Sequence, residues 1–376
     1  MTLFFLLFFI VYSGMHLYAF LKARAAFAFG NRVAIPLLLL IIVMNLAPVI
    51  VRVSEKYGYE TLARFLSFSG YLWMALLFLF FSTGLATDLY HMPVRLAGLL
   101  SRRDLSAFTL TAKAAFLIPF FSSLVLTSYG YFEAKDIRTE RITLKTAKLP
   151  DGMDRLTVVQ ISDVHLGLIV RETRLAKILE EVKKAKPDML VDTGDLVDGQ
   201  INGLNGLSDM LSEINPPYGK FAILGNHEFY AGLGQSLDFI KKSGFRLLRG
   251  EAVSGPINIA GVDDNVLFTY GLERGKGESE LLKGLPGDRF TLLLKHRPEV
   301  DKNTIGLYDL QLSGHAHRGQ IFPFTLIVKL RFPYLSGFFE LGKGSNLYVS
   351  RGTGTWGPPV RLLSPPEVTV IELVRE

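Results

Sequence analysis

Four apolar stretches fill the first 130 residues, roughly Thr2–Leu21, Ala34–Val53, Phe68–Leu89 and Thr109–Gly130. Each comes close to the ~20 residues with which an α-helix crosses a bilayer. Charged residues gather between the stretches or at their ends: Lys22, Arg24 and Arg32; Arg52, Glu55, Lys56, Glu60 and Arg64; Arg95, Arg102, Arg103 and Asp104. A signal peptide is the rival reading of the first stretch. It fails because no positive region precedes the apolar run, no small-residue cleavage site follows it, and three more apolar stretches come after. The fourth stretch carries Lys113 near its start and Pro119 in its middle. A lysine can snorkel from a helix end, and proline is tolerated in membrane helices.

Four spans put both termini on one side of the membrane. Basic residues are spread almost evenly over the connecting loops, but none precedes the first span. That favours translocation of the N-terminus, and so a C-terminal region outside the cytoplasm. The spans also account for a composition that is 49% hydrophobic. The net charge of +6 suits phosphates or anionic headgroups, and no basic run with interleaved aromatics points to nucleic acid. The chain has no cysteine, which excludes disulfides and thiolate metal ligands.

Residues 1–130 therefore read as a four-helix membrane domain, 131–150 as a linker or a first strand, and 151–376 as a separate domain. From Asp151, short β-branched runs alternate with amphipathic helical stretches, the pattern of an α/β layered fold. Predicted strands are Leu156–Ile161, Asp188–Thr193, Lys220–Leu224, Ile257–Val262, Phe290–Leu294, Leu310–Leu312, Leu347–Ser350 and Val368–Val374. Predicted helices are Glu172–Lys186, Gly203–Ile214, Gly234–Ser243 and Ser279–Gly284.

Five short motifs stand at the C-terminal ends of predicted strands, where open α/β sheets place their sites. They are Asp163-Val-His165, Gly194-Asp195-Leu-Val-Asp198, Gly225-Asn226-His227-Glu228, Lys295-His296 and Gly314-His315-Ala-His317. They hold five of the chain's seven histidines, too many for chance placement of core or surface imidazoles. Hard oxygen ligands with neutral imidazoles suit Mn²⁺, Fe²⁺, Zn²⁺ or Co²⁺, and the lack of sulfur argues against a structural zinc. So many ligands can hold two ions about 3.5–4 Å apart that share a carboxylate, acidify a water and clamp a phosphoryl group.

The ordered blocks D-x-H, G-D-x-x-D, G-N-H-E, H and G-H-x-H resemble those of the calcineurin-like metallophosphoesterases, from Leu156 to the C-terminus. The tail from Tyr348 to Arg361, with Pro365-Pro366-Glu367, is similar to that of a bacterial membrane-associated branch related to the YkuE and YaeI phosphoesterases. The resemblance implies a four-layer α/β/β/α sandwich with two central sheets. It implies one metal held by Asp163, His165, Asp195 and His317, and a second held by Asp195 as the bridge with Asn226, His296 and His315. His227 would then bind the substrate phosphate and protonate the leaving oxygen, kept cationic by Asp198.

Three residues depart from the family's pattern. Arg318 replaces a glycine that often follows the last metal histidine. Gly199 stands where some branches have a phosphate-binding arginine, which leaves Arg318 and Arg351 as candidates for that role. Asp192 occupies a normally apolar strand position. Beyond the last motif, Ile321–Phe339 is unusually apolar but interrupted by Pro323, Lys329, Arg331 and Pro333. It reads either as core or as a cap lying on a membrane. Asp88 and His91, three residues apart near a span end, read as interface residues without further role.

The expected protein is a membrane-anchored hydrolase of a phosphate ester or pyrophosphate bond, acting on a lipid-linked or membrane-proximal substrate. Some relatives by that resemblance cleave the pyrophosphate of a lipid precursor in the cytoplasm, and others are exported. A tethered phosphatase of soluble esters is the nearest alternative. A receptor or transporter with a domain that only binds a phosphorylated ligand is a more distant one, disfavoured because every expected ligand is present.

Overall fold

The computed structural model describes all residues except Met1, Gln200–Gly203, Asn205 and Arg274, and the side chains of residues 2–4. The start of the expected helix Gly203–Ile214 lies outside the described residues. Two compact units form, one of Met1–Phe132 with Gly357–Val360, the other of Glu133–Trp356 with Arg361–Glu376.

The first unit consists of α1 (Thr2–Phe27), α2 (Asn31–Lys56), α3 (Glu60–Ser101) and α4 (Ala112–Glu133), all long and apolar enough to cross a membrane. The third is longer than the apolar stretch at its centre. Its 42 residues rise ~63 Å at ~1.5 Å each, about twice the hydrocarbon thickness. Prolines at 36, 48, 93 and 119 lie inside these helices. Polar groups join α1 to α3. Trp73 Nε1 donates to His16 Nε2 at 2.9 Å, Tyr18 Oη to Asp88 Oδ2 at 2.7 Å, and Lys22 pairs with Asp88. Asp88 thus bridges helices, and His91 Nε2 accepts from the Leu110 amide.

The second unit has two six-stranded sheets. The first runs β1 (Arg138–Thr146), β12 (Glu367–Arg375), β2 (Arg155–Ile161), β3 (Met189–Asp192), β4 (Lys220–Ala222) and β5 (Arg246–Leu247). The second runs β10 (Gly337–Gly342), β11 (Ser345–Val349), β9 (Leu310–Ser313), β8 (Thr291–Lys295), β7 (Asn258–Val262) and β6 (Glu251–Ser254). Strands β2 to β5 are parallel, as are β7, β8, β9 and β11. Residues 131–150 therefore contain a strand, which pairs with β12 along its whole length.

Alternation along the strands builds the layers. Leu156, Val158, Met189, Val191 and Ile223 of the first sheet meet Ile259, Leu292, Leu294, Leu310 and Leu312 of the second. The opposite face of the first sheet, with Val159, Ile161, Leu190 and Ala222, packs on α5 (Glu172–Ala185), α6 (Leu207–Ser212) and α8 (Leu233–Lys242). Ala260, Val262 and Leu293 cover the other sheet's outer face with α9 (Glu278–Lys283). The result is the expected α/β/β/α sandwich. A short α7 (His227–Ala231) follows β4, and α10 (Phe324–Arg331) follows β9.

Candidate metal centre

The five motif loops leave the C-terminal ends of parallel strands β2, β3, β4, β8 and β9. At these turns the backbone takes a conformation L-residues avoid. Asp163, His165, Asp195, His315 and His317 all have φ between 46° and 68°. Each left-handed residue costs on the order of 1–2 kcal/mol, so the packed loops around them must hold these conformations in place. Two glycines make the approach possible. A Cβ on Gly314 would lie 2.1 Å from Asp163 Oδ2, and one on Gly225 would lie 2.2 Å from Asp195 Oδ1.

Three overlapping groups bring ligand atoms within 4.8 Å of one another: Asp163, His165 and His317; Asp195, His296 and His315; and His165, Asp195 and His227. His165 Nε2 faces His317 Nε2 at 3.1 Å, and His317 Nε2 lies 3.3 Å from Asp163 Oδ1. His296 Nε2 is 3.2 Å from Asp195 Oδ2, 3.3 Å from Asn226 Oδ1 and 3.1 Å from His315 Nδ1. Imidazole nitrogens converging in pairs beside carboxylates form a donor set that fits divalent ions, with Asp195 common to two groups.

Surrounding groups aim these ligands. His296 Nδ1 lies 2.9 Å from the Thr193 carbonyl, which turns Nε2 inward. The His315 amide donates to both Asp163 oxygens at 3.0 Å. Burial and the neighbouring charge of His227 push His165 down to about 4. Burial also holds His315 and His317 well below the ordinary histidine range, so all three are neutral, the form in which an imidazole can bind a metal. Burial opposes charge on His296, but Asp195 outweighs it and raises His296 to about 10. A metal entering there displaces that proton.

His227 is different. Its Nδ1 is 2.7 Å from Asp198 Oδ1. Burial works against its charge, yet Asp195 and Asp198 raise it to about 9. Its ring also meets Tyr230 and Trp356 edge to face.

The remaining expected residues separate. Arg318 directly follows His317 in a left-handed conformation. Arg351 is engaged elsewhere: its guanidinium pairs with Glu140 and Glu367 and donates to the Pro365 carbonyl, so the expected phosphate ligand is instead a clamp holding β1 and β12. Asp192 is fully buried in β3, and neither carboxylate oxygen has a hydrogen-bond partner. Burial, then the charges of Glu228 and Asp163, raise it well above the carboxylate range, so it is an uncharged acid beneath the centre.

Sequence reasoning missed two organisers. Glu228 is fully buried and accepts the amides of Asp195, Val197 and Gly225, tying the loops after β3 and β4 together. Arg361 is also fully buried. It donates to the carbonyls of Arg351, Gly352, Gly354 and Ser364 and lies 3.0 Å from His317 Nδ1. The quoted motif contains Glu228, but a signal for Arg361 lies only in the Gly-rich tail.

Comparison with known proteins supplies the family. The pattern of the calcineurin-like phosphoesterases matches residues 156–319. An uncharacterized metallophosphoesterase of Aquifex aeolicus is 45% identical over 257 residues, covering 67% of this chain and 98% of that one. The uncharacterized metallophosphoesterase YkuE of Bacillus subtilis is 33% identical, covering 65% of this chain and 89% of that one. A Danio rerio transmembrane protein with metallophosphoesterase domain is 30% identical, covering 74% and 68% respectively.

Two variants probe this packing. Arg361→Met leaves four buried carbonyls without a charged donor, each worth ~1.5–3 kcal/mol. Metal content per chain should fall, and Arg361→Lys should not restore it, because one ammonium cannot span the same acceptors. Parental metal content in Arg361→Met would refute the clamp. Asp192→Asn should be the more stable chain at neutral pH in unfolding of chelator-treated protein. An acid raised by folding contributes its full stability below its unfolded pKa of ~3.9 and loses it as pH rises. The gap between variant and parent should therefore close on acidification; a gap that widens would mean Asp192 is ionised in the fold.

Proposed function

The chain belongs to the calcineurin-like metallophosphoesterases, and from that membership we propose a binuclear, divalent-metal-dependent hydrolase of a lipid-linked or membrane-proximal phosphate ester or pyrophosphate. The observation that carries the binuclear reading is the place of Asp195 in two overlapping ligand groups. One site would use Asp163, His165, Asp195 and His317, and the other Asp195, Asn226, His296 and His315. Bound ions of this kind polarise phosphoryl oxygens and acidify a water nucleophile. Mn²⁺, Fe²⁺, Zn²⁺ and Co²⁺ all suit the donor set.

The protein's own groups supply the rest. His227, held cationic by Asp195 and Asp198, hydrogen-bonds the phosphate and gives its proton to the leaving oxygen. Arg318, next to His317, adds positive charge for the same oxygens. The membrane helices in the same chain support a substrate at the bilayer rather than in bulk solution. A tethered phosphatase of soluble esters is the second reading, favoured to the extent that the centre alone binds only a phosphoryl group.

Asp195→Asn should lose metal and activity together. His227→Ala should keep metal and slow turnover of an aryl phosphate by ~10²–10⁴-fold, the usual worth of a general acid. Two metals and near-normal rate in Asp195→Asn would sink the bridging assignment. The pH profile offers a separate check. His227 must be protonated to act as the acid, so kcat should fall as pH rises through its pKa, which the hydrogen-bonded Asp198 raises. Removing its anionic partner in Asp198→Asn should move the fall to lower pH; an unmoved limb would exclude His227 as the acid.

This reading puts the catalytic unit outside the cytoplasm. Topology reporters fused after Gly130 and after Glu376 should agree with each other and read extracytoplasmic. Cytoplasmic signal at both positions would reverse that assignment.

A further inference from the structure

Among the described helices of at least eight residues in the catalytic unit, only α10 buries none of its residues. Helices on globular domains turn an apolar stripe inward. Here Leu326, Ile327 and Leu330, one face at i, i+1 and i+4, are 60%, 59% and 87% exposed. Phe322 and Phe324 at its entrance are also exposed. The core alternative for Ile321–Phe339 is thereby set aside for this helix.

The helix is fastened to the metal centre. Thr325 Oγ1 donates to the Arg318 carbonyl at 2.9 Å, and the ring of Phe332, just past the helix, lies 5.2 Å from that of His315. A second exposed strip runs beside it. The Phe322 amide donates to the Leu362 carbonyl, and the Leu362 amide to the Gln320 carbonyl, which places exposed Leu363 alongside. The Gln320 side chain grips the Trp356 backbone through both its N–H and its C=O, at 2.9 Å each. Trp356 is 47% exposed, and its ring meets that of His227 at 5.8 Å. One connected apolar platform thus reaches from α10 to the rim of the site.

We propose that this platform docks into a lipid bilayer, resting the metal centre at the level of headgroup phosphates. This rests on the hydrolase reading above and names the surface at which it works. Three features select a bilayer as the occupant. The helix protrudes, whereas a site for a soluble apolar ligand is concave. The helix has no acidic residue and carries exposed Lys329, which suits anionic headgroups above buried leucines, while Arg331 at its end pairs with Glu299. The same polypeptide contains four helices suited to span a membrane, so lipid is present at high effective concentration.

The chain has only two tryptophans, which permits a direct depth measurement. The full-length protein with Trp73→Phe, Trp356→Phe and Leu330→Trp is reconstituted in phosphatidylcholine–phosphatidylglycerol vesicles, with or without bromine on the acyl chains. Docking predicts that brominated vesicles remove most of the reporter's fluorescence, and that adding Leu326→Ser and Ile327→Ser restores it. These side chains are exposed, so the serines should leave the fold intact. Unquenched emission overturns the proposal, as does protection of the reporter by a second copy of the chain, detected as cross-links through α10. Quenching does not depend on turnover. Aryl phosphate hydrolysis by the parental protein in the same vesicles therefore reports separately on the hydrolase reading, and either can fail without the other.

Discussion

The catalytic unit depends on one buried carboxylate. Asp195 sits among His165, His227 and His296 with almost no solvent around it. Burial alone would force its proton on, but the surrounding imidazoles hold it well below the carboxylate range. The exchange is mutual: His296 and His227 are raised by the same charge that they stabilise. An isolated carboxylate in such a place would cost several kcal/mol, so the histidines around it are a condition of its burial as well as candidate ligands. A divalent ion replaces the proton of His296 with a larger charge in the same place, which is why a set of this kind is poised for metal before any metal binds.

Bringing these groups together requires backbone conformations that do not stabilise themselves. Five ligand-bearing residues are left-handed, and Gly225 and Gly314 admit carboxylates where any Cβ would collide. The two-sided core compensates. Strands β2, β3, β4 and β8 bury apolar side chains toward both the partner sheet and an outer helix layer, and β9 buries Leu310 and Leu312 toward the partner sheet. Full burial of a single Leu, Ile or Val stabilises by ~1.5–3 kcal/mol, which exceeds the strain of one left-handed residue. Asp192 interrupts this pattern from inside β3. It remains tolerable as a neutral acid, because ionisation there would add to the charges of Glu228, Asp163 and Asp195.

Legibility in the sequence followed the range of the interactions. Strands with β-branched runs, such as β2 and β3, and amphipathic helices such as α5 and α8 could be read from local period. So could the five motifs, because each ligand lies next to the strand end that positions it. Strands β5, β6 and β10 could not: they are short or half-exposed edges whose partners alone define them. Arg351 looked like a phosphate ligand because it follows a strand end in a Gly-rich stretch. Its true partners, Glu140 and Glu367, lie on two other strands and carry no local signal. Arg361 escaped for the same reason, being defined by carbonyls of its own loop and by His317. The apolar run after His317 was visible, but whether it faced core or solvent depends on burial, which composition does not encode.

The placement of the chain's end explains why the tail matters to a centre built mostly from upstream motifs. Strand β12 inserts between β1 and β2, so Glu367 pairs beside Arg138 and Ile371 lies opposite Val158. The loop that leads into β12 must therefore pass over the turn after β2, and the Thr353 and Gly354 amides bond the Ser162 and Asp163 carbonyls there. Arg361 fixes that loop from within and touches His317 at its far side. Pairing across more than two hundred residues is slow to form, since loop closure precedes any reward from contact. The candidate ligands Asp163, His165 and His317 are thus fully aligned only once the final strand is in the sheet, and their convergence is a property of the completed fold rather than of its motifs.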